Sequence, residues 1–149
     1  MLVGSVGWLC WVVVLVGCAS TSTSWVSDPS DPNNVKIEAA IRYSLEKPTG
    51  ELTKADLEKV TYLNLRVNQL TDVKGLEMLT QLTKLYLQRN NLTNVKGLEK
   101  LTQLTVLDLA SNQLTDVKGL ENLTQLKKLD LAENQLTDVK GLENLTQLT

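Results

Sequence analysis

Hydrophobic and polar positions along this chain fall into three regimes. Residues 1–18, MLVGSVGWLCWVVVLVGC, are apolar or small, and the first charged side chain is Asp28. Residues 19–34, ASTSTSWVSDPSDPNN, are dominated by Ser, Thr, Asp, Pro and Asn, with Trp25 as the exception. From Val35 onward apolar residues return with helical spacing: Val35, Ile37, Ala40, Ile41, Tyr43 and Leu45 form one stripe,. Asn33 or Asn34 is placed to cap that helix, and Pro48 and Gly50 stop it,. A second, short helix is expected from Thr53 through Val60. Thr53 and Asp56 fit the S/T-x-x-D/E capping pattern, and Leu57 and Val60 face inward,. Beyond Val60 the period shortens to two. In Leu107-Asp108-Leu109 the alternation turns two leucines to one face of a short strand and one residue to the other,.

That alternation recurs at a fixed interval. Asn68, Asn90, Asn112 and Asn134 are each 22 residues apart. LTVLDLASNQLTDVKGLENLTQ (104–125) is followed by LKKLDLAENQLTDVKGLENLTQ (126–147), residues 60–81 and 82–103 complete four units, and Leu148 and Thr149 begin a fifth. The pattern L-x-x-L-x-L-x-x-N-x-L resembles the leucine-rich-repeat signature. The 22-residue unit with LTDVKGLENLTQ is similar to the repeats of bacterial surface proteins of the internalin type, over residues 60–149 and with the helical stretch before them. The resemblance implies an α/β solenoid, with short parallel strands on a concave face and a helical N-terminal cap. Leu114, Val117, Leu120 and Leu123 return the chain along the convex side. Each unit then buries its leucines only against its neighbours, so stability is a sum of nearest-neighbour terms. The four Asn are expected to stack as a buried structural ladder, their amides satisfying turn backbone groups of adjacent coils. Internalins carry a C-terminal cap that has no counterpart here, so the inward leucines of the last unit are expected to lie uncovered.

The apolar N-terminus reads as a processing signal. Trp8 to Val16 has the length of a signal-peptide hydrophobic region,, and a spanning helix wants about 20 apolar residues. Leu15-Val16-Gly17-Cys18 resembles the bacterial lipobox, which implies cleavage before Cys18 and lipidation of its thiol. Ala19 after it points, by resemblance to double-membrane bacteria, to the outer membrane. No Lys or Arg precedes the apolar run, which keeps an uncleaved anchor as the alternative. The organisation is therefore a lipoprotein signal peptide over 1–17, a flexible tether over 18–34, a helical cap over 35–59 and repeats over 60–149. The expected location is a bacterial cell envelope, reached through a lipid that binds the membrane.

Composition narrows the chemistry. The chain has no His, which removes the commonest general base and metal ligand, and two Cys cannot build a zinc site,. Fifteen Lys and Arg against seventeen Asp and Glu give no basic footprint for nucleic acid,. No catalytic motif is present, so the expectation is no enzyme, no cofactor and no metal. Asp72, Asp116 and Asp138 would stack, but Asn94 interrupts them, and calcium wants more converging oxygens,. The Lys74, Lys96, Lys118 and Lys140 column lies near Glu77, Glu99, Glu121 and Glu143 and reads as a solvated charge ladder. Three Asn-Leu-Thr sequons recur because the repeat recurs.

What varies between the units is the outward strand positions: Tyr62, Asn64 and Arg66, then Lys84, Tyr86 and Gln88, then Val106, Asp108 and Ala110, then Lys128, Asp130 and Ala132. In leucine-rich repeats this is the face where partners bind. Tyr62, Arg66, Lys84, Tyr86 and Arg89 gather on the first two strands, and Tyr and Arg are frequent anchors of interfaces. The candidate binding residues are Tyr62, Asn64, Arg66, Lys84, Tyr86, Gln88, Arg89, Asp108, Lys128 and Asp130, with a protein or glycan as ligand. The expected function is recognition by a tethered module. The alternatives are a structural piece of a longer surface protein, or a cytosolic adaptor if residues 1–18 are no signal.

Overall fold

A computed structural model of the protein describes residues 27–149. The signal, Cys18, Trp25 and most of the tether lie outside the described residues. Helix α1 spans Pro32–Ser44 and short helix α2 spans Lys54–Leu57. Strands β1 (Tyr62–Asn64), β2 (Lys84–Tyr86), β3 (Val106–Asp108) and β4 (Lys128–Asp130) follow. They form one parallel sheet in the order β1-β2-β3-β4, with Leu63, Leu85, Leu107 and Leu129 in register. Each strand is reached from the last through a coil of tight turns, so the sheet is one wall of a solenoid. The expected α/β solenoid with a helical cap is the fold observed.

The core follows the repeat. Leu65, Leu70, Val73, Leu76, Leu79 and Leu82 of the first coil are fully buried, as are their counterparts in the next two. Burying one such side chain contributes about 1.5–3 kcal/mol, so each coil is held mainly by the coils on either side. The fourth coil has a neighbour on one side only. Leu129, Leu131, Leu136 and Leu142 are partly buried, and Val139 is 54% exposed.

Two turn columns recur with the coils. After each strand the backbone enters the left-handed region at Val67, Arg89, Ser111 and Glu133. On the convex side Gly75, Gly97, Gly119 and Gly141 do the same at φ 93–105°, a conformation that favours glycine. At Gly141 a Cβ would also meet Glu121 Cγ at 3.0 Å. These glycines donate their N–H to the carboxylates of Glu77, Glu99, Glu121 and Glu143, at 2.6–2.7 Å. The expected Lys–Glu ladder is thereby corrected: the Glu column closes glycine turns. Lys118 and Lys140 instead lie within 4.0 Å of Asp116 and Asp138. Those Asp, with Asp72 and Asn94, each accept the N–H two residues on.

The fold differs from the sequence reading in three further places, two of them in the cap. Asp31, not Asn33 or Asn34, caps α1: its side chain accepts from Asn33 N–H, and Pro32 fills the first helical position,. The helix thus starts three residues before Val35, and Asn33 is freed for the interior. Val35 and Tyr43 are not part of the buried stripe; they are 46% and 88% exposed. On a helix Val35, Ala39 and Tyr43 fall on one face, four apart, while Ile37 and Ile41 fall opposite and are buried,. Finally, the Asn ladder has fewer rungs. Asn90 and Asn112 are buried and Asn134 partly so, but the Asn68 side chain only donates to Arg66 O at 2.9 Å. Among the described residues no coil precedes it to supply peptide groups for its amide.

Candidate functional site on the concave sheet face

The parallel register that stacks the leucines also stacks the residues between them, facing out of the core. Tyr62 lies beside Lys84, and Asn64 beside Tyr86. The ladder continues past the strand ends: Leu65 N–H donates to Tyr86 O, Val67 N–H to Gln88 O and Leu87 N–H to Asp108 O. Arg66 and Gln88 are carried by this extension, and Asp108 ends β3.

The first two coils bring together the densest group. The rings of Tyr62 and Tyr86 stand 5.7 Å apart, tilted by 51°. The Arg66 guanidinium lies 4.2 Å from the Tyr86 ring centroid, a cation–π arrangement. Its Nε donates to Gln88 Oε1 at 2.5 Å, and its terminal nitrogen is 3.8 Å from Asp108 Oδ2. Arg66 is therefore held across three coils by Tyr86, Gln88 and Asp108. Tyr62 and Lys84 remain exposed at its side.

The other predicted residues divide. Asn64, Asp108 and Asp130 each accept the N–H two residues on, from Arg66, Ala110 and Ala132. One oxygen of each thus belongs to the turn; the second atom is left for a ligand at Asn64 and Asp130, while at Asp108 it faces Arg66. Lys128 is exposed on β4, and with Tyr86, Asp108 and Asp130 it lines a shallow depression of about 360 Å³. Arg89 does not join the Tyr–Arg group. It sits on the left-handed turn at φ 57°, its N–H bound to Ala110 O, beyond the strand rather than on it.

Sequence reasoning missed the flank of this face. Val35, Ala39 and Tyr43 of α1 face Tyr62 and Asn64 across a groove of about 1300 Å³. The i, i+4, i+8 spacing was the available signal. Among the described residues no group of three Asp, Glu, His or Cys is placed to hold a metal, and no helix is long and apolar enough to cross a membrane.

The matching of known families decides the architecture. Two copies of a leucine-rich-repeat model match residues 58–100 and 80–122, and a single leucine-rich-repeat model matches residues 122–145. The chain belongs to the leucine-rich-repeat proteins. Among solved structures, this leucine-rich-repeat chain is similar to an internalin (InlF) from Listeria monocytogenes, at 33% identity and a TM-score of 0.73. The match covers 78% of this chain and 36% of that one. An internalin C2 (InlC2) from the same organism matches at 31% identity and a TM-score of 0.74, over 79% of this chain and 55% of that one. The functional domain of InlJ from Listeria monocytogenes, which includes a cysteine ladder, matches at 26% identity and a TM-score of 0.56, over 78% of this chain and 31% of that one. The described residues here hold no Cys, and their ladder is asparagine. The leucine-rich-repeat chain thus spans between about a third and about half of the internalin chains it matches. No curated protein matches it.

Proposed function

We propose that this chain is a non-enzymatic recognition module that binds a protein segment or glycan on its concave face, tethered to a bacterial envelope by lipid on Cys18. The observation that carries the binding reading is the preorganised Tyr62–Tyr86–Arg66 group. Its aromatic and guanidinium surfaces are fixed before a ligand arrives, which lowers the ordering cost of binding. They vary between coils whose core residues hardly vary, so the fold does not require them.

Size shapes the ligand. With strands about 4.8 Å apart and a rise of about 3.3 Å per residue, four short strands give roughly 200–300 Å². A standard interface needs about 800 Å² per partner. The α1 flank adds to this area, because the groove continues from Tyr62 to Tyr43 and Val35. A ligand engaging both would lie across the sheet edge and along the helix. Selection of phage-displayed peptides on the full chain tests this. Peptides recovered should lose binding to Tyr86→Ala and Arg66→Ala and keep it with Lys118→Ala on the convex side. Peptides indifferent to the first two changes would overturn the concave-face reading.

The tether rests on Leu15-Val16-Gly17-Cys18. The mass of the protein extracted with detergent from its own cells tests it. A chain starting at Cys18 and carrying acyl groups is expected. An unacylated mass that includes Met1 would overturn it and favour an uncleaved anchor or a cytosolic adaptor. The half-covered fourth coil favours a second reading, a piece of a longer surface protein, and a heavier mass with further repeats would support that one.

A further inference from the structure

We infer that the outer edge of β1, where it faces α1, takes an extended acidic segment of a partner protein as a further strand, which rests on the recognition reading above and names its ligand as a peptide. Backbone alternation defines this edge. Lys84 N–H donates to Thr61 O and Leu65 N–H to Tyr86 O, so the odd residues along β1 face β2. Tyr62 and Asn64 therefore turn their N–H and C=O groups the other way, toward α1,. Ser44 Oγ donates to Tyr62 O at 3.2 Å. Tyr62 N–H, Asn64 N–H and Asn64 O have no partner among the described residues. An edge with unpaired peptide groups is a template for another chain.

The edge is closed on either side of this window. Past its end, Asn64 Oδ1 accepts from Arg66 N–H at 3.2 Å, and Asn68 Nδ2 donates to Arg66 O at 2.9 Å. At its start stands Ser44. Helix α1 borders the window along its length. Its N-terminal Asn33 is bonded to Thr71 N–H, beyond the end of β1, and its C-terminal Ser44 to Tyr62 O, at the start. Helix and strand thus run antiparallel, and the groove of about 1300 Å³ lies between them. Peptide-binding domains that work by strand addition use an open sheet edge for affinity and flanking pockets for alternate side chains. The first coil offers both.

Three features single out the occupant. Tyr62 N–H and Asn64 N–H lie two residues apart on a strand, about 6.6 Å, which is the repeat of another extended backbone. The helical wall is apolar, with Val35 and Tyr43 exposed and Ala39 between them, so it suits the apolar side chains of an added strand. The charge is one-sided. Lys36 and Arg42 line the groove against Glu46, and Arg42 already pairs with Glu38 at 2.7 Å. Lys36 there, and Lys84 and Arg89 on the second coil, have no carboxylate partner among the described residues. Complementary charge steers encounter and fixes register, and here it calls for carboxylates on the segment.

Linear peptides selected by phage display on the full chain are the probes, labelled and titrated by fluorescence anisotropy. Asn64→Pro removes the central N–H of the window, at an edge position where proline is tolerated, and should weaken binding about tenfold. Asn64→Ala keeps that N–H and should stay within about twofold. Lys36→Glu on the exposed helix wall should weaken binding about fivefold. N-methylation of successive peptide bonds in the probe makes the same cut from the ligand's side and needs no variant to fold; sensitivity should alternate with a period of two. Peptides that lose binding to Tyr86→Ala and Arg66→Ala but ignore Asn64→Pro and show no alternation overturn the strand addition and leave the concave-face reading standing. The reverse pattern supports the strand addition and overturns the concave face. A library that yields no peptide overturns the inference and leaves a glycan as the ligand. Slow amide exchange at Asn64 before any peptide is added overturns it too, because the chain's own residues 19–26 would then fill the edge.

Discussion

Asn90 uses every polar atom of its amide. Its Oδ1 accepts from Asn68 and Leu70 N–H at 3.0 Å, and its Nδ2 donates to Leu65 O and Leu87 O at 2.8 and 2.7 Å. Asn112 repeats the arrangement with Leu92, Leu87 and Leu109. Removing Asn112 strands the buried Leu92 N–H, while Leu87 O keeps the Asn90 amide and Leu109 O keeps that of Asn134, and one unsatisfied buried group costs about 1–3 kcal/mol. Asn112→Ala is therefore expected to lower stability by about 1–3 kcal/mol in urea titration, whereas Asn68→Ala, which loses one bond at the surface, should cost under about 1 kcal/mol. The 22-residue spacing made the Asn column legible as a ladder, but spacing cannot tell a rung from an end post. Whether an Asn is a rung depends on what lies on its N-terminal side. Here that neighbour is α1, and its Asn33 does the equivalent work: Oδ1 accepts from Thr71 N–H at 3.1 Å, and Nδ2 donates to Thr71 Oγ1 and Asp72 Oδ2.

At the scale of elements, α2 owes its existence to its ends, because four residues are too few to form a stable helix alone,. Thr53 Oγ1 accepts from Asp56 N–H, and Asp56 Oδ2 accepts from Thr53 N–H at 3.1 Å, a closed capping box,. Lys47 Nζ reaches the same oxygen at 2.7 Å from the loop before. Lys47, then the Thr53 hydroxyl and N–H, hold the Asp56 carboxyl well below the usual carboxylate range. A folded-state pKa below the unfolded one gives stability that is present above the unfolded value, near 3.9, and is lost as pH falls below it. Acid titration of stability should therefore show a loss below about pH 4 that is diminished in Asp56→Asn. This box was legible from Thr53 and Asp56 alone, since its chemistry is local. The start of α1 is not the one expected from Asn33 or Asn34, because Pro32 suits the first helical position and so hands the cap to Asp31 before it,. The strands were legible because their pattern recurs four times in one register. The Arg66 arrangement was not, because the lateral reach of Arg66 to Gln88 and Asp108 is a matter of side-chain geometry across coils.

For the whole molecule, nearest-neighbour coupling means that stability should be graded along the axis. The middle coils have neighbours on both sides and fully buried leucines, and the fourth has one neighbour and half-covered leucines. Amide exchange is expected to be slowest at Leu87 and Leu109 and markedly faster at Leu131 and Leu136. Uniform protection along the axis would mean that the solenoid opens as one unit.

Leu63, Leu85, Leu107 and Leu129 share a register at a constant offset, and that constancy has a hereditary side. An unequal crossover that adds or drops a whole 22-residue unit leaves every surviving coil beside a neighbour of the right shape. The number of units is then a quantity that lineages can adjust in single genetic events. Each event lengthens or shortens the concave wall by one strand, about 4.8 Å, without asking any core residue to change.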